Sequence, residues 1–143
     1  MQKNKLFSVA IALLLIAFFT TSWVSPTPTI TTPQAVTITA TFDFSTFPNV
    51  NGTFVATGAL TISGATTMEV GPNINGARAH CVETLTASDG SGIITIHMEC
   101  AFNTPIPQGR WEIVSGTGAY TNLKGNGPLT MPGTSESMTG VIY

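Results

Sequence analysis

The chain has 143 residues, of which 43% are hydrophobic and only 8% are charged, and its net charge at pH 7 is −2. Binding to a nucleic-acid backbone depends on clustered Lys and Arg side chains, and the five basic residues spread over this chain exclude that function.

Residues 1–22 are typical of a secretory signal peptide. Lys3 and Lys5 precede an apolar core at 6–19, and a positive segment followed by an apolar one directs export. We expect cleavage after Ser22, which gives a secreted, periplasmic or cell-surface protein. The alternative is an uncleaved anchor, because the apolar run nearly reaches the length that spans a bilayer. Contact with a membrane is expected only in that case.

The chain after the signal divides into a short linker and one domain. Residues 23–33 are rich in Pro and Thr, so they form an extended tether that supplies nothing for a core. Residues 34–143 suffice for one domain with a single core. This domain has three basic and seven acidic residues, which gives a net charge near −4 once the signal is removed.

Strict alternation of apolar and polar residues predicts the first two strands. Over residues 35–44 the even positions are apolar and most odd positions are threonine. The even positions of 54–62 repeat the apolar parity after a turn at 47–52. Gly58 inside the second run indicates a bend or bulge. A short third strand is expected at 65–70.

Residues 80–100 predict a hairpin that carries its own disulfide. A type II′ turn at Gly90 and Ser91 places Cys81 opposite Cys100. Facing Cα atoms of an antiparallel pair lie about 4.5 to 5.5 Å apart, which is within the reach of a disulfide. An oxidising compartment would keep that bridge closed. The alternative is a pair of free, buried thiols.

The same register places Glu83 on the apolar face of the hairpin, opposite Met98. Desolvation raises the pKa of a carboxyl among apolar side chains, so Glu83 is a candidate general acid or base acting on an apolar ligand. The alternative is a Glu83 at a barrel rim or hydrogen-bonded to threonine hydroxyls. His80 and His97 fall on the outer face about 13 Å apart. That separation is too large for one metal ion, so no metal site is expected.

The remaining segments predict short strands joined by Gly-rich turns. Residues 110–116 restart the alternation, and 128–131 and 138–143 are expected to be the closing strands. Seven or eight short antiparallel strands predict an all-β fold, either a small barrel of about eight strands or a β-sandwich. The shared parity predicts one interior lined by Val36, Ile38, Phe42, Phe54, Leu60, Ile62, Leu85, Ile96, Met98, Trp111 and Ile113.

The segment GRWEIVSGTGAYTNLKGNG at 109–127 resembles the signature of bacterial secreted proteins with an allene oxide cyclase barrel-like domain, a fold shared with plant dirigent proteins. The stretches CVETLTASDGSG and TGVIY are similar to that family as well. The resemblance implies an antiparallel barrel of about eight strands with an apolar lumen. Its cyclase activity is not carried over to any residue of this chain. The glycines of these blocks suit tight turns and left-handed backbone: Gly90, Gly116, Gly118, Gly125 and Gly127.

Three residues are the candidates for lining a ligand pocket, namely Trp111, Tyr120 and Met98. The aromatic rings supply apolar area and the phenol supplies a directional hydrogen bond. The alternative is that Trp111 and Tyr120 are core and turn-packing residues.

These patterns favour a secreted or surface β-barrel domain that holds a small apolar molecule in its interior and has no established enzymatic activity. An isomerase or cyclase acting on a hydrophobic substrate is the alternative, and it requires free volume beside a trapped polar group. A third hypothesis is a stalked surface module that binds a partner through the outer face of the hairpin. No cofactor is expected.

Overall fold

The computed structural model describes residues 32–72 and 77–143. Eight antiparallel strands each pair with the next one in sequence, and the last pairs with the first to close a barrel. The predicted barrel is therefore confirmed, and the alternative β-sandwich is excluded. The predicted signal at 1–22 and most of the predicted linker lie outside the described residues. No helix in the described part of the chain is long and apolar enough to cross a membrane.

The strands are β1 (Gln34–Asp43), β2 (Asn49–Gly58), β3 (Ile62–Val70), β4 (Arg78–Ala87), β5 (Ile93–Ala101), β6 (Gln108–Gly116), β7 (Gly125–Thr130) and β8 (Ser135–Ile142). Short 3₁₀ helices at Phe44–Thr46 and Gly118–Tyr120 follow β1 and β6.

Closure of the barrel depends on the ladder between β1 and β8. Its pairs run from Gln34 opposite Ile142 to Thr41 opposite Ser135. An open sheet would leave both strands with unpaired backbone groups, and these two strands have few charged residues to protect such an edge. Closure satisfies those groups within the chain.

The predicted alternation decides which side chains fill the barrel. Ten of the eleven residues expected in the interior are buried, and Ile62, at the first position of β3, is only partly buried. The largest fully buried side chains include Trp111 and Phe54. Because successive strand residues point to opposite faces, the threonines that alternate with the apolar residues of β1 lie on the outside.

The register of the β4–β5 hairpin differs from the prediction by two residues. Cys81 pairs with Met98 and not with Cys100. The predicted two-residue turn is wrong. The Ala87 N–H donates to the Gly92 carbonyl at 3.1 Å, so the turn contains the four residues 88–91. Within this turn the Asp89 carboxylate accepts from the Ser91 N–H at 2.9 Å, a local bond that competes with a tighter turn. A shift of two residues preserves the inward and outward faces, so the predicted faces are correct.

Not every glycine of the predicted turn motif lies in a turn. Gly90 has φ +75° in the β4–β5 turn and Gly118 has φ +58° in the second 3₁₀ helix, where the left-handed region favours glycine. Gly125 and Gly127, by contrast, lie within β7. Gly58 has φ +93° and is the last residue of β2, so the chain turns after it and the strand predicted to continue to Ile62 is divided between β2 and β3. The turn predicted at 47–52 is likewise too long, since β2 begins at Asn49.

Candidate functional site

Two carboxyl groups are buried inside the barrel. Glu83 on β4 is 0% exposed and Glu136 on β8 is 2% exposed. Both occupy inward positions of their strands, and they are close enough for each carboxyl to shift the pKa of the other. We call these two residues the acid pair.

The acid pair has few hydrogen-bond donors. The Thr66 hydroxyl donates to Glu83 Oε1 at 2.6 Å. Apart from the other carboxyl of the pair, the Glu83 Oε2 atom and both oxygens of Glu136 have no hydrogen-bond partner among the described residues. Two carboxylates are acceptors only and cannot bond to each other, but a protonated carboxyl can donate to its neighbour. The arrangement therefore favours a proton held between Glu83 and Glu136.

Burial raises the pKa of both carboxyl groups. For Glu83 desolvation is the main cause, and the hydrogen bonds from Thr66 and Glu136 oppose it. Desolvation first, and then the charge of Glu83, raises the pKa of Glu136 to about 10. Two like charges cannot both be maintained cheaply at short range in a dry interior. The acid pair accordingly retains at least one proton at neutral pH.

The two cysteines lie next to the acid pair as free thiols. Cys81 and Cys100 are both buried and unbonded, and they approach each other to 4.2 Å. Because Cys81 pairs with Met98 and Cys100 pairs with Ala79, they are diagonal neighbours and not the directly facing pair that was predicted. A hydrogen bond from Cys100 lowers the pKa of Cys81, and the same contact together with burial raises the pKa of Cys100.

An apolar cavity opens at the end of the barrel where β1 finishes and β2 begins. Its volume is about 790 Å³, and none of the described side chains that line it is charged. We call this cavity the cup. Its rim includes Phe44, Phe47 and Phe102, and Phe47 is 64% exposed. Met68, Cys81 and Met131 also line the cup, and these three are buried, so they form its floor.

The acid pair lies next to the floor of the cup. Glu83 is two residues beyond Cys81 on β4, which makes it the next inward position, and it pairs across the ladder with Met68. On the other side of the barrel, Ser137 of β8 pairs with Thr130 of β7. Glu136, the residue before Ser137, therefore lies beside Met131, the residue after Thr130. Each carboxyl of the pair is therefore adjacent to a methionine of the floor.

The three residues predicted to line a ligand pocket lie outside the cup. Trp111 and Met98 are buried inside the barrel and also border a second cavity, of about 730 Å³, beside His97 and Glu112. The Trp111 Nε1–H donates to the Thr139 carbonyl at 3.0 Å. Tyr120 lies at the opposite end of the barrel, where its hydroxyl bonds to that of Ser91 at 2.5 Å. None of the three lines the cup.

Glu83 lies on the buried face of the hairpin, as predicted. It also accepts a hydrogen bond from the Thr66 hydroxyl, which is the kind of partner that the alternative prediction named. Glu136 was missed, because the closing strand was expected to begin at residue 138. The signal was nevertheless present. Met138 and Ile142 are inward, and Glu136 has the same parity.

On the outer face, His80 pairs with Glu99 and His97 pairs with Val82. The two histidines are thus closer along the hairpin than predicted, because the register is shifted. His80 Nδ1 lies 3.9 Å from Glu99 Oε1, and both side chains are exposed. Within residues 32–72 and 77–143, no group of three or more His, Cys, Asp and Glu residues is placed to hold a metal ion.

Comparison of the chain with family models, with curated proteins and with solved structures gave no match.

Proposed function

We propose that this protein is an exported barrel domain that binds a small hydrophobic molecule, with the cup as its binding site. The observation that carries the proposal is the cup itself, a concave apolar cavity of about 790 Å³ without a charged lining residue. Cavities of roughly 300 to 1,000 Å³ lined by apolar side chains are the usual form of small-molecule sites.

The rim of the cup supports this function. Phe44, Phe47 and Phe102 are large apolar side chains that remain exposed to solvent at one end of the barrel. Grouped exposed apolar side chains of this kind mark an interaction site, because transfer of their surface out of water is favourable. A ligand in the cup would cover them.

The mouth of the barrel is a better site than the centre of its lumen. The centre is filled by large side chains, among them Trp111, Phe54 and Ile96, which are at most 2% exposed. The cup, by contrast, has free volume and an opening. The binding site is therefore proposed at the mouth and not in the lumen, where the sequence analysis expected it.

Export and the family resemblance belong to the same proposal. The pattern of residues 1–22 supports an exported protein, and a closed barrel of eight antiparallel strands is the fold that the allene oxide cyclase-like resemblance implies.

In an oxidising compartment the neighbouring thiols of Cys81 and Cys100 would join in a disulfide. Intact-mass measurement of the secreted protein, with and without reduction, tests both the cleavage after Ser22 and the bridge.

Binding is tested with a neutral apolar fluorescent probe, N-phenyl-1-naphthylamine, titrated into the purified protein. We expect saturable binding that Phe47→Ser weakens several-fold, because this rim side chain contributes apolar contact area. Val55→Ser is the matched control, since Val55 is 51% exposed on the outer face and does not line the cup. Absence of saturable binding, or equal effects of the two substitutions, would overturn the proposal.

A second candidate function is favoured by the acid pair. Burial raises the pKa of the Glu83 carboxyl, a property typical of general acids and bases, and this favours an isomerase acting on an apolar carbonyl compound. In such a step the C–H bond beside the carbonyl breaks, the Glu83 carboxylate takes the proton, and the electron pair forms an enolate whose oxygen accepts a hydrogen bond from Glu136. Glu83 then returns a proton to carbon and regenerates the carbonyl. Exchange of the α-hydrogens of 2-octanone in D₂O, followed by NMR, tests it. Equal rates for the native protein and Glu83→Gln would exclude this activity.

A further inference from the structure

We infer that the cup selects apolar molecules carrying a basic amine, whose ammonium group binds the acid pair. This inference rests on the proposed function of the cup and adds the chemical class of its ligand. It follows from the juxtaposition of an apolar cavity with two buried carboxyl groups that are cross-strand neighbours of its floor residues Met68 and Met131.

The first argument is the excess of acceptors at the acid pair. Glu83 and Glu136 have four carboxyl oxygens, and Thr66 supplies the one hydrogen bond they receive from a neighbouring hydroxyl in the described part of the chain. Three oxygens depend on the other carboxyl of the pair for any partner. An ammonium group has three N–H donors and no acceptor. Its hydrogen-bonding capacity therefore matches what the acid pair lacks.

The second argument is the lack of a compensating positive charge. The basic residues of the barrel are Arg78, Arg110 and Lys124, and all three are exposed and absent from the lining of the cup. A buried carboxylate without a cation is strongly disfavoured. A ligand that brings its own cation supplies the missing partner.

The third argument excludes the opposite ligand charge. A fatty acid would bring a carboxylate into a cup that has no cation and lies above two further carboxyl groups. An anion in this apolar cup would lose its hydration without gaining a positively charged partner. The site thus disfavours anions through the cost of desolvation.

The floor of the cup provides the route to the acid pair. Met68 and Met131 line the cavity and are the cross-strand neighbours of Glu83 and Glu136. Methionine has an unbranched, flexible side chain that adapts to neighbouring groups. Rotation of these two side chains brings the amine to the carboxyl groups, while the alkyl part of the ligand stays in the cup against Phe44 and Phe102.

Binding of the ammonium displaces a proton. The O–H bond of Glu136 breaks, the proton leaves to solvent, and an N–H of the ligand becomes the donor to the resulting carboxylate. The other titratable groups that act on the pair are the thiols of Cys81 and Cys100. Because one proton is released, affinity rises with pH by up to about tenfold per unit while the amine remains charged.

The experiment compares three probes with the same alkyl chain, octylamine, 1-octanol and octanoate, by titration calorimetry at pH 7 and low salt. We expect octylamine to bind at least about tenfold more tightly than 1-octanol, with octanoate weakest. Titration of octylamine in two buffers of different ionisation enthalpy should show the release of about one proton. This second measurement uses the native protein, so it does not depend on any variant folding.

Glu136→Gln tests the assignment. It should remove most of the advantage of octylamine over 1-octanol and leave 1-octanol binding within about twofold of the native value. Glu112→Gln is the matched control, since Glu112 is exposed on β6, and it should change neither. Equal binding of octylamine and 1-octanol to the native protein would overturn this inference and leave the proposed function standing. Failure of all three probes to bind would overturn both.

Discussion

Glu83 and Glu136 approach each other from opposite sides of the barrel, since β4 and β8 are four strands apart in the closed ring. Neither strand hydrogen-bonds to the other, so the contact between the two carboxyl groups exists only because the sheet closes. This contact also makes stability depend on pH.

We predict that the barrel is most stable at acidic pH. The pKa of Glu136 is raised to about 10 from its ordinary value of 4.5. A carboxyl whose folded pKa is raised contributes stability that is complete below the unfolded pKa and is lost as the pH rises toward the folded value. The free energy of unfolding should therefore fall between pH 5 and pH 9, by up to about 1.4 kcal/mol per pH unit. Urea unfolding at several pH values measures this slope.

The variant Glu136→Gln should flatten that dependence, because the amide does not titrate. Glu112→Gln, on the outer surface, should retain the native slope. If the native protein were instead more stable at pH 9 than at pH 5, the raised pKa values would be wrong.

Thr66→Val is expected to destabilise the protein by about 1 to 2 kcal/mol. The substitution keeps the shape of the side chain but removes the hydroxyl that donates to Glu83 Oε1 at 2.6 Å, which leaves a buried acceptor with one partner fewer. Thr67→Val is the control, since Thr67 lies next along β3 and is exposed. Chemical unfolding monitored by circular dichroism compares the two. Equal effects would show that the Thr66 bond contributes nothing specific.

Trp111→Phe is expected to lower stability by roughly 2 to 3 kcal/mol. The smaller ring leaves a cavity in the core of the barrel, and the Thr139 carbonyl loses the Nε1–H donor at 3.0 Å. Since Trp111 does not line the cup, binding of the neutral probe should persist in the folded variant. Thermal unfolding followed by circular dichroism measures the first effect, and probe titration measures the second. A loss of binding without a loss of stability would instead place Trp111 in the site.

Cys81 is expected to react with N-ethylmaleimide faster than Cys100 in the reduced protein. Cys81 lines the cup, and the hydrogen bond from Cys100 lowers the pKa of its thiol, whereas the pKa of Cys100 is raised. The thiolate is the reactive form. Peptide mass spectrometry after timed labelling distinguishes the two sites.

Two further measurements constrain that result. Cys100→Ala should slow the labelling of Cys81 at pH 7, because the hydrogen bond that lowers its pKa is gone. A saturating apolar ligand should also protect Cys81 by covering the floor of the cup. Labelling of Cys81 that is indifferent to both changes would argue against its placement there.

Much of the barrel could be predicted from local pattern. Alternation in β1 and β2 identifies the inward residues, because side chains along a strand point to opposite faces with a period of two. The same rule placed Glu83 inside, and it applies equally to Glu136 once β8 is extended back to Ser135. The register of the hairpin could not be read in this way, since shifts of zero and two residues give identical faces.

Sequence by itself determined the all-β pattern, the inward faces of the strands and the burial of Glu83, because each of these depends on neighbours within a few residues. Only the tertiary structure decided that Cys81 lies diagonal to Cys100, that Glu83 meets Glu136, and that an uncharged cup lies above them. These features join residues that are distant along the chain. Their positions depend on how the turns set the register and on where the sheet closes, and no local pattern of side chains specifies either.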